Sequence, residues 1–241
     1  MRIIPLGIWG GYPKANGATS SFLIEEDGFY LLLDCGSGVL ASLQNYISIQ
    51  QLDAVIITHY HHDHMADVGA LHYAKLIQNQ LTDNPKTLSI YAHDRDDQFH
   101  SLTYKEHTQA YNVTQTSQIG PFTLETTETN HPVYCLAIRL EAKGKSVVFT
   151  ADTGWKESLI SFSQNTDILV SEANLYQEYE GKIPGHMSGR QAGILAEKAV
   201  AKQLILTHLP HFGNIQYILE EAKQTYTNQA TIAVVGQSIV I

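Results

Sequence analysis

The sequence predicts an α/β fold, a sandwich of two mixed β-sheets with helices on the outer faces. The chain has 241 residues, and 44% of them are hydrophobic, which is enough for a substantial core. Short apolar runs typical of β-strands recur along the chain, and helical patterns separate several of them. The strands cluster in each half of the chain and helices follow them, as expected for two sheets packed together.

The predicted strands are rich in Val, Ile, Leu and Tyr and are bounded by Gly, Asp, Asn or Ser. The runs are FLIEE, FYLLLDC, DAVIIT, LSIYA, VYCLAIRL, KSVVFTAD, DILVSE, QLILTH, TIAVVG and SIVI. Helical patterns follow residues 36, 64, 188 and 214. The strongest pattern is SGRQAGILAEKAVA, where Ser188 and Gln191 have the spacing of a capping box. Because no repeat or linker divides the chain, we predict one domain over residues 1–241.

Composition argues against several classes of function. Acidic residues outnumber basic residues by 24 to 15, a net charge of -9, which argues against non-specific binding to nucleic acid. The two cysteines, Cys35 and Cys135, form no CxxC motif and are expected to be reduced core residues. The sequence predicts neither a signal peptide nor a membrane span, so we expect a cytoplasmic protein. Since it contains no GxGxxG or Walker motif, we expect no nucleotide cofactor.

The stretch AVIITHYHHDHMADVG, residues 54–69, places four histidines around an aspartate directly behind an apolar run. The run predicts a strand that ends at Thr58, followed by a loop from His59 and a helix near Met65. Imidazole nitrogens and a carboxylate oxygen suit zinc, with manganese or iron as alternatives. The competing interpretation is a solvated polar loop, and the density of ligand-type side chains disfavours it.

Other ligand-type residues occur at the end of, or just before, predicted strands. They are His131 in TNHPVY, Asp152 in VVFTADTG, Glu172 in ILVSEAN and His208 in LILTHLP. Side chains at the ends of rigid strands can converge on one point. Together with the histidine cluster, they supply enough nitrogen and oxygen ligands for two metal ions, if Asp152 bridges the ions.

The motif THYHHDH resembles the HxHxDH signature of the metallo-β-lactamase fold hydrolases, and the similarity extends from PLGIWGG and LLLDCGSG through TADTG to LILTH. The resemblance implies two divalent metal ions. The implied ligands are His59, His61 and His131 for one ion, Asp63, His64 and His208 for the other, and Asp152 as the bridge. Asp34 matches a family aspartate that supports the ligand loop through hydrogen bonds. His62 fills a variable position of the motif and is expected to point outward.

The segments SEAN and GHMSGRQAGILAEKA resemble segments of the RNase Z and phosphodiesterase branch of that family. In this branch a glutamate orients a histidine that binds no metal and faces the scissile phosphate, and the matching residues are Glu172 and His186. A carboxylate fixes the tautomer of an imidazole and raises its basicity, so His186 could serve a phosphoryl or leaving oxygen. In the competing interpretation, His186 is an ordinary loop residue and Glu172 is a surface acid.

RNase Z enzymes usually carry a long arm that grips transfer RNA, inserted between the positions that match His131 and Asp152. Here that interval has room only for a hairpin that turns at Lys143 and Gly144. We therefore expect no processing of transfer RNA precursors and no stable nucleic-acid partner. The chain more closely resembles the armless members, which include cyclic phosphodiesterases of small nucleotides or sugar phosphates.

The sequence thus predicts a dinuclear metal-dependent phosphodiesterase that acts on a small anionic phosphodiester, such as a cyclic nucleotide or a sugar phosphate. Hydroxide generated at the metals and held near Asp63 would attack phosphorus, while His186 assists the leaving group. Three alternatives stay open: a lactone, thioester or β-lactam hydrolase on the same metals, an RNase Z-type transfer RNA 3′ endonuclease, and a non-catalytic metal-dependent sensor. By analogy with related proteins, a homodimer is possible, and no membrane partner is expected.

Residues 93–112 form a polar stretch that contains several aromatic residues. We interpret the stretch as a solvated helix and loop. The alternative is a lid over the metals, in which Phe99 and Tyr104 would stack on a base. Trp9, in a glycine-rich loop, and His211 are candidates for the rim of the same site.

Overall fold

Two mixed seven-stranded β-sheets and six α-helices make up the protein, which confirms the predicted α/β class. The structure is a computed structural model and describes all residues, 1–241. The chain divides into two compact units. Unit 1 comprises residues 1–7, 11–121 and 235–240, and unit 2 comprises residues 8–10, 122–234 and 241.

The secondary structure elements are numbered along the chain. The strands are β1 (Arg2–Gly7), β2 (Ser21–Glu26), β3 (Phe29–Leu33), β4 (Leu52–Ile56), β5 (Leu88–Ala92), β6 (Thr108–Asn112), β7 (Gln118–Ile119), β8 (Phe122–Glu128), β9 (Leu136–Ala142), β10 (Lys145–Phe149), β11 (Ile168–Glu172), β12 (Gln203–Thr207), β13 (Gln229–Ile232) and β14 (Ile239–Val240). The helices are α1 (Val39–Leu43), α2 (His62–Met65), α3 (Val68–Gln80), α4 (Ser158–Phe162), α5 (Gly189–Lys198) and α6 (Ile215–Lys223). Short 3₁₀ helices cover Ile49–Gln51, Asp97–Leu102, Val113–Gln115 and Gln177–Tyr179.

The first sheet has the strand order β14-β1-β2-β3-β4-β5-β6. Strands β14, β1, β2 and β3 pair antiparallel, whereas β3 to β6 pair parallel. Because parallel strands end at the same edge of a sheet, the segments that follow β3, β4 and β5 emerge side by side. The histidine cluster follows β4, so this edge positions it.

The second sheet has the order β13-β12-β11-β10-β9-β8-β7. Strands β10 to β13 pair parallel, and β9 pairs antiparallel with both β8 and β10. The β9–β10 hairpin joins Ala142 to Lys145 through Lys143 (φ 51) and Gly144 (φ 73). Positive φ at both central residues is the signature of a tight two-residue turn, which confirms the predicted hairpin.

Each unit has an apolar core between its sheet and its helices. In unit 1, residues such as Leu32 and Val55 pack with Val39 of α1 and Leu71 of α3. In unit 2, leucines and alanines of β11, β12, α5 and α6 form a second cluster. The predicted capping box is present, because Ser188 Oγ accepts a hydrogen bond from Gln191 N at 3.1 Å and Gln191 Oε1 accepts one from Ser188 N at 3.2 Å. Helices follow residues 36, 64, 188 and 214, as predicted.

The stretch 93–112 differs in part from the predicted solvated helix and loop. It contains a 3₁₀ helix, Asp97–Leu102, and strand β6, which pairs parallel with β5 at the edge of the first sheet. His93 and His107 are buried, with only 2% and 7% of their surface exposed. The prediction therefore agrees with residues 94–101, which are exposed or half-buried, and was wrong for β6. The conformation of β6 is determined by its backbone pairing with β5 rather than by its polar side chains.

No helix combines the length and the apolar character that crossing a membrane would require.

Candidate metal centre

In unit 1, four ligand-type side chains converge after strand β4. His59 Nε2 lies 3.1 Å from His61 Nδ1, and His64 Nε2 lies 3.4 Å from Asp63 Oδ2. The ring centroids of His59 and His64 are 4.1 Å apart. Helix α2 begins at His62, three residues before the predicted start, and its first turn presents Asp63 and His64. The His62 side chain is exposed, as predicted.

Asp34 supports this cluster from the end of the neighbouring strand β3. Its carboxylate accepts hydrogen bonds from Thr58 N (2.8 Å) and Thr58 Oγ1 (3.0 Å), and His64 Nδ1 lies 2.7 Å from Oδ2. The backbone of Asp34 has a positive φ of 60°, an uncommon conformation for a residue with a Cβ atom. These bonds are of the kind that the resemblance implies for this aspartate, because they orient the His64 ring from outside the site.

The backbone of the loop after β4 also packs closely against the backbone of the segment that follows β3. A Cβ atom on Gly36 would lie 1.7 Å from the carbonyl oxygen of Asp63, so only glycine fits there. The Asp63 side chain is fixed independently, because Gly11 N donates a hydrogen bond to its Oδ2 at 2.7 Å. Burial raises the pKa of the neighbouring Cys35 thiol, as do Asp67 and Asp34. Cys35 is therefore a protonated core residue, as the sequence predicts, and not a thiolate ligand.

In unit 2, three ligand-type residues follow strands that run in the same direction. His131 follows β8, Asp152 follows β10 and His208 follows β12. Strands β8 and β10 both run antiparallel to β9, so they end at the same edge as the parallel strand β12. His208 Nε2 lies 3.2 Å from Asp152 Oδ1, and both residues are buried. His131 Nδ1 lies 3.0 Å from the Gly185 carbonyl oxygen, which can only accept a hydrogen bond.

Two residues that hold His208 in place were not identified by sequence reasoning. Asn174 Nδ2 donates to the His208 carbonyl oxygen at 2.9 Å. Gly10 lies against the ring, since a Cβ atom there would be 2.7 Å from His208 Cε1. His208 itself has a positive φ of 52°. Both contacts join segments far apart in sequence, and only the motifs SEAN and IWGG hinted at them.

Glu172 is buried at the end of β11, with 1% of its surface exposed. Its Oε1 accepts a hydrogen bond from Thr153 N (2.8 Å) and lies 2.9 Å from His186 Nδ1. Its Oε2 accepts hydrogen bonds from Asn174 N (3.1 Å) and Met187 N (3.3 Å). Interpreting Glu172 as a surface acid is therefore wrong. The carboxylate orients His186, and its lone pairs are directed at N–H donors of the chain.

The His186 ring lies beside two of the candidate ligands. Its centroid is 5.4 Å from that of His208, with the rings stacked, and 5.5 Å from that of His131, with the rings edge-on. Nitrogen atoms of His186 and His208 and an oxygen of Glu172 all lie within 4.8 Å of one another. His186 is one-fifth exposed, whereas Glu172 is buried, so a small molecule could reach the histidine but not the carboxylate.

The donor chemistry of both clusters fits divalent metal ions. Every candidate ligand is an imidazole or a carboxylate, the groups that zinc, manganese and iron accept. In His64 and His131, Nδ1 faces an oxygen acceptor, which places the lone pair on Nε2. A ligand imidazole that donates through its second nitrogen is the usual arrangement in metal sites. The His/Asp clusters are thus compatible with divalent metal binding.

Trp9 and His211 lie next to each other in unit 2, and His211 follows shortly after His208 in the chain. Their ring centroids are 5.5 Å apart, and His211 Nε2 lies 3.0 Å from the Gly10 carbonyl oxygen. Leu209 and Trp9 form an isolated parallel bridge that holds the two segments together. The structure thereby joins the two residues that the sequence analysis proposed separately as rim residues.

Comparisons with known proteins agree with this geometry. Residues 30–209 match the family model described as "Beta-lactamase superfamily domain". The chain is 44% identical over 239 residues to the probable metallo-hydrolase YhfI of Bacillus subtilis (strain 168), covering 98% of both chains. The crystal structure of the Bacillus subtilis metallo-beta-lactamase fold protein YhfI superposes with a TM-score of 0.94, over 99% of this chain and 98% of that one.

More distant similarities fall in the same fold. Ribonuclease Z of Thermoplasma volcanium is 21% identical over 282 residues, which cover 94% of this chain and 93% of that protein. A crystal structure described as a new diphosphatase from the PhnP family has a TM-score of 0.78 at 17% identity, covering 100% and 97% of the two chains. The chain therefore belongs to the beta-lactamase superfamily, as a member of the metallo-hydrolase family that has the metallo-β-lactamase fold.

Proposed function

We propose that the protein is a dinuclear metal-dependent phosphodiesterase that acts on a small anionic phosphodiester, such as a cyclic nucleotide or a sugar phosphodiester. The observation that carries the proposal is the pairing of buried Glu172 with partly exposed His186, 2.9 Å between Oε1 and Nδ1, with the His186 ring against His208. A histidine that is oriented by a carboxylate, partly exposed and not needed as a ligand is suited to proton transfer.

The proposed metal ligands are the residues that the family resemblance implies. They are His59, His61, Asp63, His64, His131, Asp152 and His208. The donor chemistry within each unit supports this set, and zinc is the proposed metal, with manganese or iron as alternatives. When bound, a pair of divalent ions would polarise the phosphoryl oxygens and lower the pKa of a bound water toward neutrality.

The chain's own residues supply the remaining chemistry. Glu172 holds the proton of His186 on Nδ1 and stabilises the imidazolium, so His186 can give a proton from Nε2 to the departing oxygen. Gly11 N donates to the Asp63 carboxylate at 2.7 Å and so fixes its position, and we assign this carboxylate the role of orienting the attacking water. His186 lies just before the N-terminus of α5, where backbone N–H groups favour a negative phosphoryl group.

Two of the similar proteins support phosphate chemistry. Ribonuclease Z and a diphosphatase are among the similar proteins, and both names denote enzymes that act on phosphate bonds. The short β9–β10 hairpin favours a small substrate over transfer RNA, since it provides no arm between His131 and Asp152. The buried Glu172 also disfavours a lactone, thioester or β-lactam hydrolase, which has no need for such a pair.

A paired assay on metal-loaded protein tests the proposal. One arm uses bis-p-nitrophenyl phosphate, and the other uses nitrocefin and a simple lactone. We expect hydrolysis of the phosphodiester with a kcat/KM well above that of both carbonyl substrates. Faster turnover of nitrocefin or the lactone would favour the carbonyl alternative. Tight binding of a phosphorylated metabolite without turnover of any substrate would favour a sensor.

We also propose that the protein functions in the cytoplasm. Cys35 and Cys135 are both buried, and neither is in a disulfide. Two unoxidised core thiols are typical of reducing compartments. Fractionation of cells that express the protein would test this proposal, and recovery in the medium would contradict it.

A further inference from the structure

The loop that carries His186 connects β11 to α5, and we call residues 173–187 the His186 loop. Its two ends are joined, because Leu175 N donates to the Met187 carbonyl oxygen at 3.0 Å and Leu175 forms an isolated bridge with Ser188. The segment that leaves β11 and the segment that enters α5 are therefore in contact at the base of the loop. This closure alone does not fix the middle of the loop.

Glu180, in the middle of the loop, makes the contact that ties it to helix α5. Arg190 donates to its carboxylate from Nη2 (2.6 Å) and Nε (3.1 Å), in the two-pronged geometry that gives the strongest arginine–carboxylate pairs. The hydroxyl of Ser188 donates to the same carboxylate. The Glu180 side chain is only 17% exposed, so solvent screens these contacts less than it would on the surface.

The charge state of Glu180 agrees with this geometry. Burial raises the pKa of the carboxyl, but the hydrogen bonds from Arg190 and Ser188 outweigh that effect, so the pKa of Glu180 lies below its usual range. The carboxylate is therefore ionised at neutral pH. Both of its partners belong to the start of α5, where Ser188 is the N-cap residue.

Two groups of the His186 loop, the imidazole of His186 and the carbonyl of Gly185, contact residues of the candidate site. His186 lies two residues before Ser188, and its ring contacts Glu172 and His208. The Gly185 carbonyl oxygen accepts the hydrogen bond from His131 Nδ1 at 3.0 Å. Glu180 makes no contact with His186 or Gly185, yet it holds the loop to helix α5, which begins three residues after His186.

We propose that Glu180 is a positioning residue for the phosphodiesterase reaction, acting through the placement of His186 and without contact to the substrate. The inference rests on the proposed function of His186. The Glu180–Arg190 pair holds the loop against α5. The His186 imidazole therefore stays within hydrogen-bond distance of Glu172 and in position to protonate the departing oxygen.

The experiment compares Glu180→Gln and Glu180→Ala with wild type, alone and combined with His186→Ala. The matched control is Glu141→Ala, because Glu141 also pairs with an arginine, Arg139, at 2.5 Å but lies far from the His186 loop in sequence. Each protein is assayed on a phosphodiester with a poor leaving group and on bis-p-nitrophenyl phosphate. Metal content and Tm are measured for every variant, so that rates are compared per loaded protein.

We expect Glu180→Ala to lower kcat about 10- to 100-fold on the poor leaving group, the size of effect that misplacing a catalytic group by about 1 Å produces. KM should change little, and the loss should shrink for bis-p-nitrophenyl phosphate, whose leaving group needs no proton. In the His186→Ala background, Glu180→Ala should cause no further loss. Glu180→Gln keeps the shape of the side chain and should show a smaller loss of the same pattern, and Glu141→Ala should match wild type.

Two results would overturn the inference. One is a loss from Glu180→Ala that multiplies with the loss from His186→Ala, which would make the two residues independent. The other is a folded, metal-loaded Glu180→Gln protein with full activity on the poor leaving group. If His186→Ala itself left that activity unchanged, the proposed function of His186 would fail instead, so the two failures are distinguishable. If Glu180→Ala did not fold, the cycle of Glu180→Gln with His186→Ala would decide.

Discussion

Asp152 and His62 are both ligand-type residues by chemistry, but their environments differ. Asp152 is buried and lies 3.2 Å from His208 Nε2, whereas the His62 side chain is exposed. A carboxylate that bridges two ions contributes to both binding constants. A residue that points outward contributes to neither.

We therefore predict that Asp152→Ala lowers metal content from two ions per chain to one or none, and that His62→Ala keeps both. The reason is the loss of the only proposed bridging oxygen ligand in the first case. Elemental analysis of dialysed protein is the measurement, with Tm as a check on folding. Equal metal content in the two variants would contradict the ligand assignment.

His186 leads to a kinetic prediction. Removing a general acid typically costs ~10²–10⁴-fold, so His186→Ala should lose that much activity on a phosphodiester with a poor leaving group. The loss should be smaller with bis-p-nitrophenyl phosphate, because its leaving group, p-nitrophenolate, departs without a proton. The metal content of the variant should equal that of the wild type. Glu172→Gln should show a weaker form of this pattern. If His186→Ala loses a metal ion, His186 is a ligand, and if it keeps full activity, it is an ordinary loop residue.

The residues of the site differed in how well sequence could identify them. His59, His61, Asp63 and His64 lie within six positions, so a local motif is sufficient to find them. Asn174 and Gly10 contact His208 across long sequence separations, and neither residue type is a usual ligand. Such contacts become visible only once the chain has folded.

At the scale of the element, Asp167 joins three strands of the second sheet. It directly precedes β11, its Oδ2 accepts from Ser146 N of β10 at 2.9 Å, and its Oδ1 accepts from Lys202 Nζ, just before β12, at 2.8 Å. Burial raises the pKa of Asp167, but the hydrogen bonds from Lys202 and Ser146 outweigh it, and the pKa lies below its ordinary value. The charged form is thus favoured in the folded protein.

A lowered pKa means that the stabilisation is present above the carboxyl's ordinary pKa and is lost as the pH falls through the folded value. We predict that Asp167→Asn reduces the free energy of unfolding by about 1 kcal/mol at neutral pH. The difference from wild type should shrink below about pH 4, the ordinary range of an aspartate. Urea unfolding at several pH values measures this difference in the free energy of unfolding. The variant Asp83→Asn, at an exposed position, is the control. A difference that grows on acidification would show that another mechanism is responsible.

Strands with alternating or continuous apolar residues were predictable, but β6 was not. Its sequence, TQAYN, is polar, and its conformation is explained by the pairing with β5 rather than by its own residues. Strands β1 and β8 were also missing from the predicted set, and β1 contains Pro5, a residue that usually argues against a strand. Non-local backbone pairing thus accounts for what local patterns left out.

At the scale of the whole molecule, the net charge of -9 and the short β9–β10 hairpin limit the substrates. A transfer RNA precursor requires a surface that neutralises phosphates, and its binding depends on Lys and Arg. We predict no efficient 3′ trailer cleavage at physiological salt, measured on a labelled precursor beside a ribonuclease Z as positive control. Efficient cleavage would show that this fold can process transfer RNA without an arm.

The family, the fold and the ligand motif could all be predicted from the sequence because the motif is dense and its order along the chain is specific. The homodimer stays a prediction, because related proteins rather than residues of this chain suggested it. The substrate could not be predicted beyond its chemical class, since it depends on loops whose contacts are set by the folded protein.

The central claim is that two metal ions bound by one chain support phosphodiester hydrolysis. Titrating metal-free protein with zinc, and in parallel with manganese, while following hydrolysis of bis-p-nitrophenyl phosphate tests it most directly. The account predicts that activity rises with added metal and reaches its plateau at two equivalents per chain. A plateau at one equivalent, or no hydrolysis at any metal content, would contradict it.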